Sequence, residues 1–183
     1  MKQRFQVDYG FIGLVCVLYL FDRQNLLIPT LLAALVHECG HVFMICLTGN
    51  RISRVRLSAF GACIDLDQTN RISYISEAVI AVGGPLFGLC CAFLFAKINP
   101  VFSGLNFCLA LFNLLPIAPL DGGKILRCGL CCFCGIDLAD RCLKWIGIIL
   151  GISLSGGVLI VSSGAHCTIG MILFSAFLIR MCL

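Results

Sequence analysis

The sequence predicts an all-α polytopic membrane protein with about six transmembrane helices and one short cytoplasmic β-hairpin, and three observations carry that expectation. Hydrophobic residues make up 60% of the 183 and charged residues only 12%, with a mean hydropathy of +1.05 that no ordinary water-soluble domain of this size carries. The apolar residues gather into runs of spanning length divided by short polar intervals. The basic residues are sorted to one side of those runs.

A helix needs about 20 mostly apolar residues to cross the hydrocarbon, and the candidate spans are roughly residues 9–21, 25–48, 76–98, 101–119, 142–162 and 166–182. Met1-Lys2-Gln3-Arg4 gives the first run the basic start of a signal peptide. No small-residue cleavage site follows, however, and Asp22-Arg23-Gln24-Asn25 reads as a tight turn into the second span. The third span carries Gly83-Gly84-Pro85 and Gly88, small residues that let helices approach closely, and Pro85 is expected to break the helix locally. The longest polar intervals, about 49–75 and 120–141, leave no room for a separate soluble domain, so residues 1–183 are expected to form a single membrane-embedded domain. In the first interval Val55 and Leu57 alternate with Arg54, Arg56 and Ser58, and Ala62, Ile64 and Leu66 alternate with Cys63, Asp65 and Asp67. With Phe60-Gly61 as the turn, this predicts a hairpin over about residues 54–67.

If the amino terminus is cytoplasmic, eleven of the thirteen Lys and Arg residues fall inside and only Arg23 and Lys97 fall outside. The positive-inside rule then predicts a multi-pass integral membrane protein with both termini cytoplasmic. The net charge of +4 is accounted for by this topology and gives no sign of nucleic-acid binding. Of the fourteen cysteines, most lie in apolar runs, where a thiol behaves as a small hydrophobe. Cys128 and Cys131, in a cluster with Cys132 and Cys134, have a zinc-ligand spacing but neither a second such pair nor a nearby histidine, and reduced thiols are the expectation.

The chemistry is concentrated in His37-Glu38-Cys39-Gly40-His41, inside the second span. Residues four apart on a helix share a face, so His37 and His41 can offer two imidazoles to one metal ion. Glu38 lies about 100° further round, where it can reach a water at the metal and act as general base. Ionisable residues deep in a membrane helix are costly and mark function by default. A catalytic zinc usually takes a third protein ligand. His166 falls on the outer side by this topology, whereas Asp121 follows the helix-breaking Pro116 and Pro119, and Gly122-Gly123 are expected to leave the backbone free to aim its carboxylate inward. Asp121 is therefore the expected third ligand.

These elements resemble the site-2 protease family of intramembrane zinc metalloproteases. His37-Glu38-Cys39-Gly40-His41 is similar to its first motif, Gly84-Pro85 to its glycine-proline element, and the stretch Asn113 to Gly123 to its third motif. The six-helix plan most resembles the sporulation branch, whose members process a membrane-associated pro-sigma factor. The resemblance implies one Zn2+ per chain held by His37, His41 and Asp121, Glu38 as catalytic base, and a substrate-positioning or oxyanion role for Asn113. It also implies a bacterial cytoplasmic membrane location, a membrane-embedded or membrane-associated protein substrate, and a membrane regulatory partner. Neither the nucleotide-sensing CBS domain of the sporulation branch nor a PDZ insertion is expected here.

Two rival readings use the same residues. A membrane metal-ion transporter would route the ion through the polar site, and a non-catalytic partner-binding protein would have no need of Glu38.

Overall fold

The computed structural model describes residues 5–58, 61–66 and 73–163. The sixth expected span at 166–182, and His166 before it, lie outside the described residues. The chain forms two compact units, Met1–Phe112 and Asn113–Leu183.

The first unit begins with strand β1 (Phe5–Val7) and helix α1 (Tyr9–Phe21). The Asp22–Asn25 turn follows, with Asn25 at φ 54°, and the Asp22 carboxylate accepts hydrogen bonds from the Leu26 and Leu27 amides at 2.8 and 2.9 Å. That satisfies two of the amides that have no partner within the helix at the start of helix α2 (Leu27–Leu47), an interaction worth about 1 kcal/mol. The amphipathic interval then folds as strands β2 (Ile52–Ser58) and β3 (Gly61–Leu66). Ser73 caps helix α3 (Tyr74–Phe95) by accepting from the Ser76 amide, and the unit closes on helix α4 (Pro100–Asn113), whose last residue opens the second unit.

Burial in α2 and α3 is the reverse of a soluble core. α2 turns Ala33, His37, Gly40, His41 and Ile45 inward, α3 turns Ala81, Gly83, Gly84, Pro85, Gly88 and Ala92 inward, and large residues such as Ile28, Leu35, Phe43, Val79 and Leu86 face outward. Small inward and large outward residues suit helices solvated by lipid, where close packing rather than exclusion of water holds neighbours together. A Cβ on Gly40 would collide with the Gly83 carbonyl, and one on Gly83 would lie 2.6 Å from Met44 Cγ, so the two helices cross almost backbone to backbone. Pro85 does not break α3, contrary to the sequence expectation. The ring removes one hydrogen bond from the ladder, but the helix is continuous on both sides and is pinned to α2 two residues away at Gly83. α2 and α3 are, among the described residues, the two helices long and apolar enough to cross a membrane. α1 and α4 are apolar but have 13 and 14 residues, so each extends only about 20 Å.

The hairpin is present as expected, and β1 joins it to make a three-stranded sheet in the order β1-β2-β3. β1 runs parallel to β2 and β3 antiparallel to it, so β2 is central and not an edge.

The second unit opens with an irregular stretch through Pro116 and Pro119, where the fourth span was expected to end in a break. Helix α5 (Asp121–Cys134) follows, Gly135 turns the chain at φ 81°, and helix α6 (Ile136–Ser163) returns against it. Cys128 and Cys131 are buried in this unit, as are Ala139 and Leu143, and Arg127 Nε donates to Asp140 Oδ1 at 2.6 Å. This exposed hydrogen bond, with the guanidinium charge, holds the Asp140 carboxyl below the usual aspartate range.

Candidate metal centre

Helical periodicity brings His37 and His41 together as expected. Both are buried on the inward face of α2, their Nε2 atoms are 3.2 Å apart, and the rings meet edge to face with centroids 4.8 Å apart. His41 Nδ1 lies 2.8 Å from the Ile80 carbonyl oxygen of α3. A carbonyl can only accept, so Nδ1 carries the proton and the Nε2 lone pair of the neutral ring is left for a ligand.

The pair fits a metal. Two nitrogens bound about 2.0–2.1 Å from a tetrahedral ion stand roughly 3.3–3.4 Å apart, close to the spacing seen here. α3 supplies the space: a Cβ added to Gly84 would run into His41 Nε2 and lie 2.6 Å from His37 Nε2. Any residue other than glycine at this position would fill the place where both donor atoms point. The sequence marks Gly84 as a small residue for helix packing and, with Pro85, as similar to the family's glycine-proline element, and the structure gives it this more specific place before the two rings.

Glu38 is partly buried, next to His37 on α2 and displaced around the helix from the imidazole face. In the second unit Asp121 is the first residue of α5 and is 4% exposed, and Lys124 Nζ lies 3.1 Å from its Oδ1. Gly122 and Gly123 do not serve as free joints, as the sequence suggested. A Cβ on Gly122 would collide with the Leu114 carbonyl and one on Gly123 would lie 2.5 Å from the Ile117 carbonyl oxygen, so these glycines let the proline-containing stretch pack directly on the start of α5. Asn113 is the last residue of α4 and is partly buried.

An apolar helix that buries two converging imidazoles defines the class first: a helical protein with a first-row metal site inside a hydrophobic layer. Comparison with known proteins sharpens this. Peptidase family M50 matches residues 97–154. Stage IV sporulation protein FB of Bacillus subtilis is 30% identical over 129 residues, 64% of this chain and 45% of that protein. A zinc metalloprotease of Methanocaldococcus jannaschii is 29% identical over 115 residues, 56% of this chain and 33% of that protein. The site-2 protease structure from the same archaeon superposes with a TM-score of 0.68 at 23% identity, covering all of this chain and 91% of that one, which is a likeness of fold. Part of the chain thus matches peptidase family M50, and the chain as a whole is similar to zinc metalloproteases in sequence and to a site-2 protease in fold. It spans less than half the length of the curated relatives it matches.

Proposed function

We propose that this chain is an intramembrane zinc metalloendopeptidase that cleaves a membrane-associated protein within or next to the bilayer. The observation that carries the reading is the buried pair of Nε2 atoms facing the space left by Gly84, on a helix long and apolar enough to span a membrane. His37, His41 and Asp121 are the proposed zinc ligands; each is buried and each offers one ligand atom. Zinc, when bound, supplies the Lewis acidity that makes water nucleophilic near neutral pH. Glu38 takes the proton from the attacking water and passes it to the leaving amine. The Asn113 amide positions the substrate or donates to the carbonyl oxygen as charge develops there.

The reading extends to topology. The chain crosses a bacterial cytoplasmic membrane six times as one domain, with both termini cytoplasmic. Cys63, exposed on β3, should then be labelled by impermeant thiol reagents from the cytoplasmic side only. Labelling from outside would overturn the orientation. The finer substrate assignment, a pro-sigma factor processed in sporulation under a membrane regulatory partner, draws on the likeness to the sporulation protein alone.

A helical substrate shields its own peptide bonds, so it must become extended to be cut, and the sheet offers an edge for it. Because Asp8 N donates to Leu57 O, the backbone groups of Val55 and Leu57 face β1, those of Arg56 face β3, and those of Ile64 face outward from β3. Proline at Val55 or Leu57 would therefore damage the sheet itself, whereas Ile64→Pro removes one outward amide. Ile64→Pro should slow cleavage with zinc content unchanged, and normal cleavage would remove the edge from the mechanism.

The decisive test is a purified-protein assay with a membrane substrate, with and without chelator, beside Glu38→Gln. A protease loses turnover under both treatments while Glu38→Gln retains zinc. Metal flux without proteolysis would establish a transporter instead, and undiminished function in Glu38→Gln would establish a binding protein.

A further inference from the structure

Charge and apolarity are sorted along α6. Its charged residues, Asp137, Asp140, Arg141 and Lys144, all precede Trp145, and residues 145–163 contain none. The helix has 28 residues and extends about 42 Å, about 12 Å more than the hydrocarbon layer. With the fifth span placed as proposed above, the surplus turns stand in the cytoplasmic headgroup region, and Trp145 marks where the helix enters the hydrocarbon.

The cations at this boundary are left without partners. Arg141 has Asp137 one turn before it and Lys144 has Asp140, the spacing at which helical ion pairs form, yet neither pair is made. Asp140 instead accepts from Arg127 of α5. Arg141 and Lys144 are exposed and make no hydrogen bond or ion pair among the described residues. The Trp145 ring is exposed as well, and its indole N–H meets no acceptor among them. Arg141, Lys144 and Trp145 fall within about 100° of the helix surface, so three donors open on one side. Ile149 and Ile152 continue the same exposed stripe one and two turns further on.

We propose that this face of α6 binds an anionic phospholipid of the cytoplasmic leaflet. Arg141 and Lys144 pair with the headgroup phosphate, the Trp145 indole donates to an oxygen just below it, and an acyl chain lies along Ile149 and Ile152. Cation, indole and aliphatic side chain follow one another along the helix in the order in which such a lipid presents phosphate, ester and hydrocarbon. Asp137 lies one turn further from the bilayer than Arg141, and Asp140 is engaged by Arg127, so two positive charges face the phosphate. A free phosphate would use the cations but gain nothing from the isoleucines. The inference rests on the proposed topology of α6 and is independent of the proteolytic reading.

Trp145 is the only tryptophan in the chain, so its fluorescence reports on this place without a label. The test reconstitutes the full chain in mixed bilayers of phosphatidylcholine and phosphatidylglycerol, in which one lipid or the other has brominated acyl chains that quench on contact. Brominated phosphatidylglycerol should quench with an apparent affinity at least about fivefold above brominated phosphatidylcholine, the order expected for one basic side chain at an anionic surface. The preference should vanish when Arg141→Gln and Lys144→Gln are combined, and persist when Arg141→Lys and Lys144→Arg are combined, since that exchange keeps both charges. Equal quenching by the two lipids in the unmodified protein overturns the proposal, as does a preference that survives loss of both cations. Loss of the preference on adding inorganic phosphate assigns the cations to a free anion and overturns it too. Quenching by neither lipid overturns it together with the topology of α6, whereas failure of the protease reading shows only in the cleavage assay.

Discussion

Glycines shape both units, but Gly84 in the first does the opposite work to Gly122 and Gly123 in the second. In the first unit Gly84 faces His37 and His41, and its missing side chain leaves space at the donor atoms. In the second, Gly122 and Gly123 face the carbonyls of Leu114 and Ile117, and their missing side chains let two backbone segments touch. The first omission makes room for a ligand, whereas the second brings a loop onto the start of α5 and thereby fixes where Asp121 begins its helix. The same residue type thus serves binding in one place and folding in the other, and substitutions should separate the two roles.

The largest effect is expected at Gly122. Alanine there must displace a main-chain carbonyl, which no rotamer change can relieve, so Gly122→Ala should cost about 3 kcal/mol, at the upper end of overpacking, and lower the melting temperature measured in detergent. Gly84→Ala should do the reverse. Its methyl group falls on the two Nε2 atoms, so zinc bound per chain, measured by elemental analysis, should fall at least tenfold while unfolding shifts by only about 1 kcal/mol. If Gly84→Ala binds zinc normally, the contrast between the two glycine roles is wrong.

A smaller effect is expected at Lys124, whose half-exposed ammonium pairs with Asp121 and would compete with a cation there. Lys124→Met should tighten zinc binding by up to about fivefold, in keeping with the modest worth of partly exposed pairs. Weaker binding would show that the lysine holds the carboxylate in place for the ion. The smallest effect belongs to Arg127 and Asp140. Because the folded pKa of Asp140 is lowered, the pair contributes above the ordinary aspartate range and its contribution is lost as pH falls through the lowered value. Arg127→Gln should therefore bring the unfolding curves of variant and parent together in acid and leave a small gap at neutral pH.

Much of this arrangement was legible in the residues. The turn at Asp22–Asn25, the hairpin and the break after α4 follow from local turn chemistry and alternation, and the structure has all three. β1 was not legible, because three residues pair with a strand about fifty positions away and alternation over Phe5-Gln6-Val7 is too short to signal it. α5 was read as part of a polar interval, since Gly122, Gly123, Lys124 and Arg127 mask its helical pattern, and α6 consequently begins at Ile136 and not near residue 142. Which hairpin strand keeps a free edge was not legible either, because β1 covers one side of β2 and β3 lies at the edge of the sheet.

The sequence by itself determined the donor chemistry and its local spacing: two imidazoles four apart, a carboxylate beside the first, and an apolar helix to carry them. These follow from covalent geometry and the helical repeat, which nearby residues specify alone. Which nitrogen of His41 bears the proton and why the space before both rings stays open were decided by Ile80 and Gly84, about forty residues further along the chain. Ring tautomer and cavity shape are set by whatever packs against the helix, and only the tertiary fold chooses that neighbour.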